Sequence, residues 1–197
     1  VDRFLVTCEA YKVPVTILLS KIDLQDAGAV AEFRAVYERA GYRVLEVAAP
    51  SGEGVGEVRS LLAGRRTLVS GNSGVGKSTL IRAIDPSLDI RTGEISESHR
   101  KGRHTTTFST MYPLSEGGAV IDTPGIKGFG LIDIDDAELW HYFPEMMRVA
   151  SGCRFYNCTH THEPGCAVVE AVRSGEIALA RYESYLKMLD EDDKYRK

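Results

Sequence analysis

Gly71-Asn72-Ser73-Gly74-Val75-Gly76-Lys77-Ser78-Thr79 lies between an apolar run, Leu68-Val69-Ser70, and a stretch with helical spacing, Leu80-Ile81-Arg82-Ala83-Ile84. Strand, glycine loop and helix in that order form the setting of a phosphate-binding loop, and every fixed position of G-x-x-x-x-G-K-[ST] is filled. Glycines let successive backbone N–H groups turn inward around a phosphate, and the helix that follows presents its positive N-terminal end. Lys77 is placed to reach the outer phosphates and Ser78 to ligate Mg²⁺. A triphosphate site is the expectation.

A chain of 197 residues with 43% hydrophobic content suits one domain of ordinary size, or one with a small appendage. The net charge of -4 gives no whole-chain basic field, so RNA contact would come from local patches such as Arg100-Lys101-Gly102-Arg103. No apolar run of about 18 residues and no charged-then-apolar leader is present, so neither a membrane span nor a secretion signal is expected, and the cytoplasm is the expected compartment. Of four cysteines, three fall between positions 153 and 166, which favours a metal over disulfide bridges.

Upstream of the glycine loop, residues 1 to 12 carry Phe4, Leu5, Cys8 and Tyr11 at the spacing of a helix with one buried face. No strand precedes that helix, so a first strand is expected to be missing and the chain to be a fragment. Residues 13 to 19 are continuously apolar and β-branched and read as a buried parallel strand. It delivers Ser20-Lys21-Ile22-Asp23 to its C-terminal tip, where open α/β sheets bind ligands. Residues 26 to 40 place Val30, Phe33, Tyr37 and Ala40 on one helix side, closed by Gly41. A strand over residues 43 to 49 ends in Ala48-Ala49, and a short helix runs through Leu62. The alternation predicts an α/β fold, a mostly parallel sheet with helices on both faces, over residues 1 to 150.

Downstream, residues 91 to 107 are polar and read as a mobile loop ending in His104-Thr105-Thr106-Thr107. Strands over 108 to 114 and 119 to 122 form a hairpin, and the second runs into Asp122-Thr123-Pro124-Gly125. Residues 135 to 149 hold Leu139, Trp140, Phe143 and Met146 in helical spacing. Cys153, Cys158 and Cys166 then crowd with His160 and His162 into a short segment. Three thiolates and one imidazole make a closed tetrahedral zinc set, structural rather than catalytic; on spacing alone either histidine serves. Helical stretches at 167 to 173 and 176 to 189 complete a small helical zinc-binding domain over residues 151 to 197, with 190 to 197 as a solvated tail. There is no internal repeat.

The strand-tip groups complement one another. Asp122 can hold Mg²⁺ through a water, the N–H of Gly125 can meet a terminal phosphate, and a threonine of the 104 to 107 loop, taken as Thr106, can join Ser78 on Mg²⁺. The Asp23 carboxylate can accept from the ring N–H and exocyclic amine of guanine, whereas adenine would present acceptor atoms to it. The position after Gly125, where many GTPases carry a water-orienting Gln, is Ile126. His104, at the head of the Thr-rich loop, is the candidate catalytic residue in its place.

Ser20-Lys21-Ile22-Asp23, Ala48-Ala49, Gly71 to Thr79, His104-Thr105-Thr106 and Asp122-Thr123-Pro124-Gly125 resemble a GTPase motif set in shuffled order, the base-reading motif coming first. With the Gly-Arg-His-Thr-Thr stretch and the trailing Cys-x4-Cys-x-His-x5-Cys, the chain resembles, over essentially its whole length, the RsgA (YjeQ) family of small-ribosomal-subunit GTPases. The resemblance implies a circularly permuted P-loop GTPase that hydrolyses GTP to GDP in late maturation of the small subunit, contacts its rRNA and is stimulated by it. It implies His104 as the catalytic group, His160 rather than His162 on one structural zinc, Mg²⁺ with GTP, no membrane partner and a monomer. The family's N-terminal RNA-binding OB barrel is absent from this sequence. Ser20 stands where the base-reading motif usually has Asn, so the amide tying base to phosphate loop is expected to be lost, and Ala48 replaces the usual Ser beside Ala49, whose N–H should face the guanine oxygen. Two rivals remain from the residues alone. One is a P-loop ATPase or small kinase in which Asp23 is only a cap; the other is a zinc-bearing rRNA-binding module with a vestigial nucleotide site.

Overall fold

The computed structural model describes residues 1–88, 90, 110–122 and 134–195. Along the chain come α1 (Asp2–Ala10), β1 (Thr16–Ser20), α2 (Ala27–Ala40), β2 (Arg43–Val47), α3 (Val55–Leu62), β3 (Arg66–Val69) and α4 (Lys77–Ile84). They are followed by β4 (Thr110–Pro113), β5 (Ala119–Asp122), α5 (Pro144–Val149), α6 (Ala167–Ser174) and α7 (Leu179–Tyr195), with 3₁₀ turns at Ile22–Leu24, Leu139–Tyr142 and Ala150–Gly152. Two compact units result, one of residues Leu18–Ala27 and Leu45–Gly128, the other of Val1–Ile17, Gly28–Val44 and Phe129–Lys197.

β1 pairs with β2 in a two-stranded sheet of their own. In the first unit β3 pairs parallel with β5 and β5 antiparallel with β4. The sheet is therefore mixed: the β4–β5 hairpin supplies the antiparallel edge. Val120 is fully buried, and with Val69 and Tyr112, which share its face of the pleat, it meets Val55, Val58 and Leu62 of α3 and Leu80, Ile81 and Ile84 of α4. Those positions recur at three and four residues, the spacing that keeps one helix face on the core. Arg59 of α3 donates from Nε to Ile84 O at 2.9 Å and from Nη2 to Ala83 O at 3.2 Å, satisfying carbonyls that the C-terminus of α4 leaves orphaned. Gly54, the N-cap of α3, has φ +71°, and a Cβ there would overlap Glu46 O, so the turn into α3 admits only glycine.

The second unit packs Val6 of α1, Leu139, Phe143, Met146, Val168 and Tyr185 into one core. At its centre Arg181 is 1% exposed. Its Nε and Nη2 donate to the two carboxylate oxygens of Glu145 at 2.7 and 3.3 Å, its Nη1 donates to Asp2 Oδ1 at 2.7 Å, and Tyr37 Oη donates to the same Asp2 oxygen at 2.9 Å. The guanidinium also lies over the rings of Phe143, Tyr37 and Tyr42, at 4.7, 5.6 and 5.6 Å from their centroids. Burial works against the Asp2 charge, but Arg181 and the donors around it outweigh that and hold the carboxyl below its ordinary range. Arg148 binds the last carbonyls of α2, Arg39 O at 2.7 Å and Ala40 O at 3.2 Å.

Several local expectations shift. Tyr11 and Val13, expected in buried elements, are 67% and 54% exposed, and β1 begins only at Thr16. Fully buried Val6 takes the place on α1 expected for Tyr11. The single helical spacing over 135 to 149 is divided at Pro144, which lacks an N–H and confines Phe143 to extended backbone, φ −114° and ψ 95°. The helix expected over 176 to 189 runs from Leu179 to Tyr195.

Arg181→Leu strands two carboxylates in the core of the second unit and is expected to destabilise it by about 3–5 kcal/mol. Urea unfolding followed by the fluorescence of Trp140, the chain's single tryptophan, measures this; an unshifted curve would remove Arg181 from its central place.

Candidate nucleotide and metal sites

α4 opens at Lys77 with Gly76 as its N-cap, φ +96°, a conformation costly for any other residue. Among the described residues no side chain caps the helix, and no acidic residue occupies its first turn, so its leading N–H groups are available as donors for an anion. Lys77 Nζ donates to Gly71 O at 2.6 Å and to Asn72 O at 3.1 Å. An ammonium has three protons, so this arrangement braces the loop and leaves one for a phosphate oxygen. Ser78 and Thr79 follow on the same first turn.

Asp122 is brought to this loop by register. It pairs with Val69, the last residue of β3, and its Oδ1 is buried without a hydrogen-bond partner among the described residues. Burial pushes its carboxyl pKa up and the nearby Lys77 charge pulls it down. A buried, unsatisfied carboxylate oxygen beside an ammonium is suited to a hydrated divalent cation, which supplies the missing partner.

The segment Ser20-Lys21-Ile22-Asp23 is bonded directly to the glycine loop. Ser20 Oγ donates to Val75 O at 2.8 Å and Lys21 Nζ to Gly74 O at 2.7 Å. The amide expected to be lost at this position is absent, and the Ser20 hydroxyl donates to the loop carbonyl instead. Lys21, at φ +60°, turns the chain into the 3₁₀ turn that carries Asp23, which is exposed. Ala48 is fully buried, its N–H donating to Glu53 O and its carbonyl accepting from Gly52 N and Ser51 Oγ, so its place is set by backbone rather than by a side chain. Ala49 follows half-buried against the core. His104, Thr106, Gly125 and Ile126 lie outside the described residues.

In the other unit the ligand atoms of Cys153, Cys158, His160 and Cys166 all lie within 4.8 Å of one another. His160 Nδ1 is 3.5 Å from Cys153 Sγ and 3.4 Å from Cys166 Sγ, and those two sulfurs are 4.0 Å apart. Zn–S near 2.3 Å and Zn–N near 2.0 Å at tetrahedral angles require about 3.8 Å between sulfurs and about 3.5 Å from sulfur to nitrogen. The donor set fits Zn²⁺. The N–H groups of Ala167 and Val169, at the start of α6, point at the sulfurs of Cys153 and Cys166 at 3.3 and 3.4 Å, where they would stabilise thiolates. Burial pushes the Cys158 thiol up to about 12 in the absence of an ion, so a metal is what would hold it ionised. His162 Nδ1 instead lies 2.8 Å from Thr161 Oγ1.

Glu163 went unnoticed in the sequence. Its carboxylate accepts from Thr159 N and Oγ1 at 2.7 and 2.6 Å, from Thr161 N at 3.1 Å and from His162 N at 3.2 Å. Burial opposes its charge, but those donors hold it well below the usual carboxylate range. Tyr182 Oη donates to His160 O at 2.7 Å and Tyr185 Oη to Thr159 O at 2.6 Å, which steadies His160 at φ +59°. No motif signals these residues, since each acts by reaching a backbone group.

A glycine loop between β3 and α4, tied to the upstream tip of β1 and flanked by Asp122 at the downstream end of β5, is the arrangement of a circularly permuted P-loop GTPase fold. Two solved structures share it. The crystal structure of YjeQ from Thermotoga maritima superposes with a TM-score of 0.78 at 36% identity, covering 96% of this chain and 64% of that one. The crystal structure of YloQ, titled a circularly permuted GTPase, gives 0.74 at 29% identity over all of this chain and 62% of that one. The family model described as RsgA GTPase matches residues 1–132, and the chain belongs to that family. Relatives named small ribosomal subunit biogenesis GTPase RsgA are 54% identical in Porphyromonas gingivalis and 50% identical in Bacteroides fragilis over the whole of this chain. The chain spans 64% and 65% of the length of those two relatives.

Elemental analysis of protein purified without chelators is expected to return one zinc per chain, and His160→Ala to lose it together with near-native Trp140 fluorescence, since the two rings meet edge to face at 4.7 Å. Zinc-free wild-type protein with unchanged fluorescence would count against the site.

Proposed function

We propose that this chain binds GTP and hydrolyses it to GDP and phosphate, with Mg²⁺, in late maturation of the small ribosomal subunit. The observation that carries the reading is the bonding of Ser20 and Lys21 to the carbonyls of Val75 and Gly74. Through those bonds the segment that presents Asp23 and the loop that presents Lys77 form one piece, so base and phosphates are gauged against each other. Belonging to the RsgA GTPase family supports the reaction, and the relatives' designation as small ribosomal subunit biogenesis GTPases supports the small subunit as partner.

Within this reading the Asp23 carboxylate accepts from the ring N–H and amine of guanine, with Ala48 and Ala49 backing the base. The loop from Gly71 to Thr79 cradles the phosphates. Ser78, Thr106 and, through water, Asp122 hold Mg²⁺, which when bound neutralises charge on the β- and γ-phosphate oxygens. Gly125 offers its N–H to the terminal phosphate. A water oxygen bonds to the γ-phosphorus as the bridging β–γ P–O bond breaks; the bond's electrons leave on GDP, and the water's proton passes to an oxygen of the released phosphate. His104 orients that water, the place of a Gln being taken by Ile126. Cys153, Cys158, His160 and Cys166 hold zinc as a structural staple. Residues 1–150 carry the nucleotide motifs and 151–197 the metal ligands. The chain works in the cytoplasm as a monomer; no helix among the described residues is long and apolar enough to cross a membrane.

Asp23→Asn removes the acceptor for the guanine amine, a loss of about 1–3 kcal/mol in GTP binding. Titration with GTP, ATP and xanthosine triphosphate tests this: a mutant that keeps its preference for GTP takes base reading away from Asp23. Wild-type protein that binds ATP as tightly as GTP makes the chain an ATPase or kinase.

His104→Ala is expected to leave GTP affinity within a few fold, because Lys77, Ser78 and Asp23 remain, and to lower subunit-stimulated turnover by about 10²-fold or more. Single-turnover hydrolysis with saturating small subunits, beside a subunit-binding assay, measures it. Wild-type turnover in the mutant would sink the assignment, and turnover lost only in step with binding would make His104 a docking residue.

A further inference from the structure

Between the metal ligands Cys153 and Cys158 the chain projects Arg154-Phe155-Tyr156-Asn157, all four exposed. Tyr156 is 102% exposed and Phe155 40%. Neither ring serves the core of its unit, although Trp140, Phe143, Tyr182 and Tyr185 of that unit all pack into it or against it. Arg154 holds its guanidinium 5.5 Å from the centroid of Phe155 and forms no ion pair among the described residues. The base of the loop is anchored: Cys158 is buried, Cys153 Sγ accepts from Ala167 N, and Arg154 N donates to Gly165 O at 3.0 Å.

We infer that Arg154, Phe155 and Tyr156 form a stacking platform for unpaired bases of single-stranded RNA. Two π faces and a guanidinium plane on a pinned loop stack bases of any sequence, and the Arg154 charge, which meets no acid among the described residues, attracts the backbone. Asn157 adds an amide that can reach a base edge. Protein hot spots also use Tyr and Arg. The observations favour RNA because the loop carries a positive charge and no acid on a chain of net charge -4, and its rings stand out in water rather than lining a closed apolar pocket. The inference rests on the reading that the small ribosomal subunit is the partner, and it names the part of that partner and the surface that meets it.

The test titrates the full chain against fluorescein-labelled single-stranded oligoadenylate, with zinc content measured for every variant. Wild type is expected to bind, and Tyr156→Ala to weaken binding about 5- to 150-fold, the worth of one base–aromatic stack. Tyr156→Phe should bind as wild type, and Arg154→Ala should bind more weakly and less steeply with salt. Ultraviolet cross-links should map to Phe155 or Tyr156. No binding of the RNA by wild type, Tyr156→Ala binding as wild type with its zinc retained, or cross-links confined to other residues each overturns the platform. Tyr156→Ala that keeps oligoadenylate binding but loses purified small subunits also overturns it, in favour of a protein contact. Wild-type GTP turnover indifferent to small subunits, with Tyr156-dependent RNA binding intact, strikes the parent reading and leaves the platform standing.

Discussion

The parallel pairing of β3 with β5 is the constraint on which the candidate nucleotide site depends. With Val69 opposite Asp122, β5 ends level with the residue from which the phosphate loop departs. Side chains alternate across a strand, so Asp122 lies on the same face as Val120, the face packed by α4. A slip of one residue would turn Val120 out of the core and Asp122 away from Lys77 together. Burial of Val120 therefore specifies where the carboxylate goes, and hydrophobic packing enforces the position of a charged group that by itself contributes nothing to stability. The unsatisfied Oδ1 of Asp122 is the local cost of that placement, and it is a cost a bound cation would offset.

The other unit is organised by polar groups that are satisfied. Arg181 is almost fully buried yet meets two carboxylates and three aromatic faces, so its charge is desolvated without being stranded. Such a network adds little net stability over an apolar replacement, but it demands one arrangement of α1, α5 and α7. The loop of the Cys/His cluster follows the same logic at smaller scale. Glu163 collects four donors, and Tyr182 and Tyr185 hold two carbonyls, so the loop is shaped by hydrogen bonds before any ion is considered. The small separation of the four ligand atoms is a property of the folded loop.

What could be read from the sequence follows from how local each signal is. The glycine loop, the strand ending at Asp122 and the Cys/His cluster are legible because spacing alone encodes them. The permuted order is legible because the motifs keep their internal spelling when the chain is cut elsewhere. Tyr11 and Val13 were misplaced because periodicity carries no information on where an apolar stripe runs out. The break at Pro144 was overlooked because apolar residues at 139, 140, 143 and 146 keep helical spacing across a residue that cannot continue a helix. Glu145, Glu163 and Arg181 were silent because their partners are backbone groups or residues far along the chain, as Asp2 is from Arg181.

Ser20 shows why a motif letter is a weaker guide than the bond it stands for. The side chain at the end of β1 has to present a donor to a carbonyl of the phosphate loop, and an amide or a hydroxyl can do so if the strand tip lies at the right distance. Here Val75 O sits 2.8 Å from Ser20 Oγ, and Lys21 adds a charge-assisted bond to Gly74 O one residue earlier on the loop. Two adjacent carbonyls gripped by two adjacent side chains fix both the position and the tilt of the loop. A hydroxyl carried on Cβ has one heavy-atom torsion to fix, whereas the amide of Asn on the same methylene has two, so the smaller residue costs less entropy for the same bond. The permuted order of the chain is compatible with this because the grip is made at strand tips. It depends on which tips are neighbours and is indifferent to which of them the chain visits first.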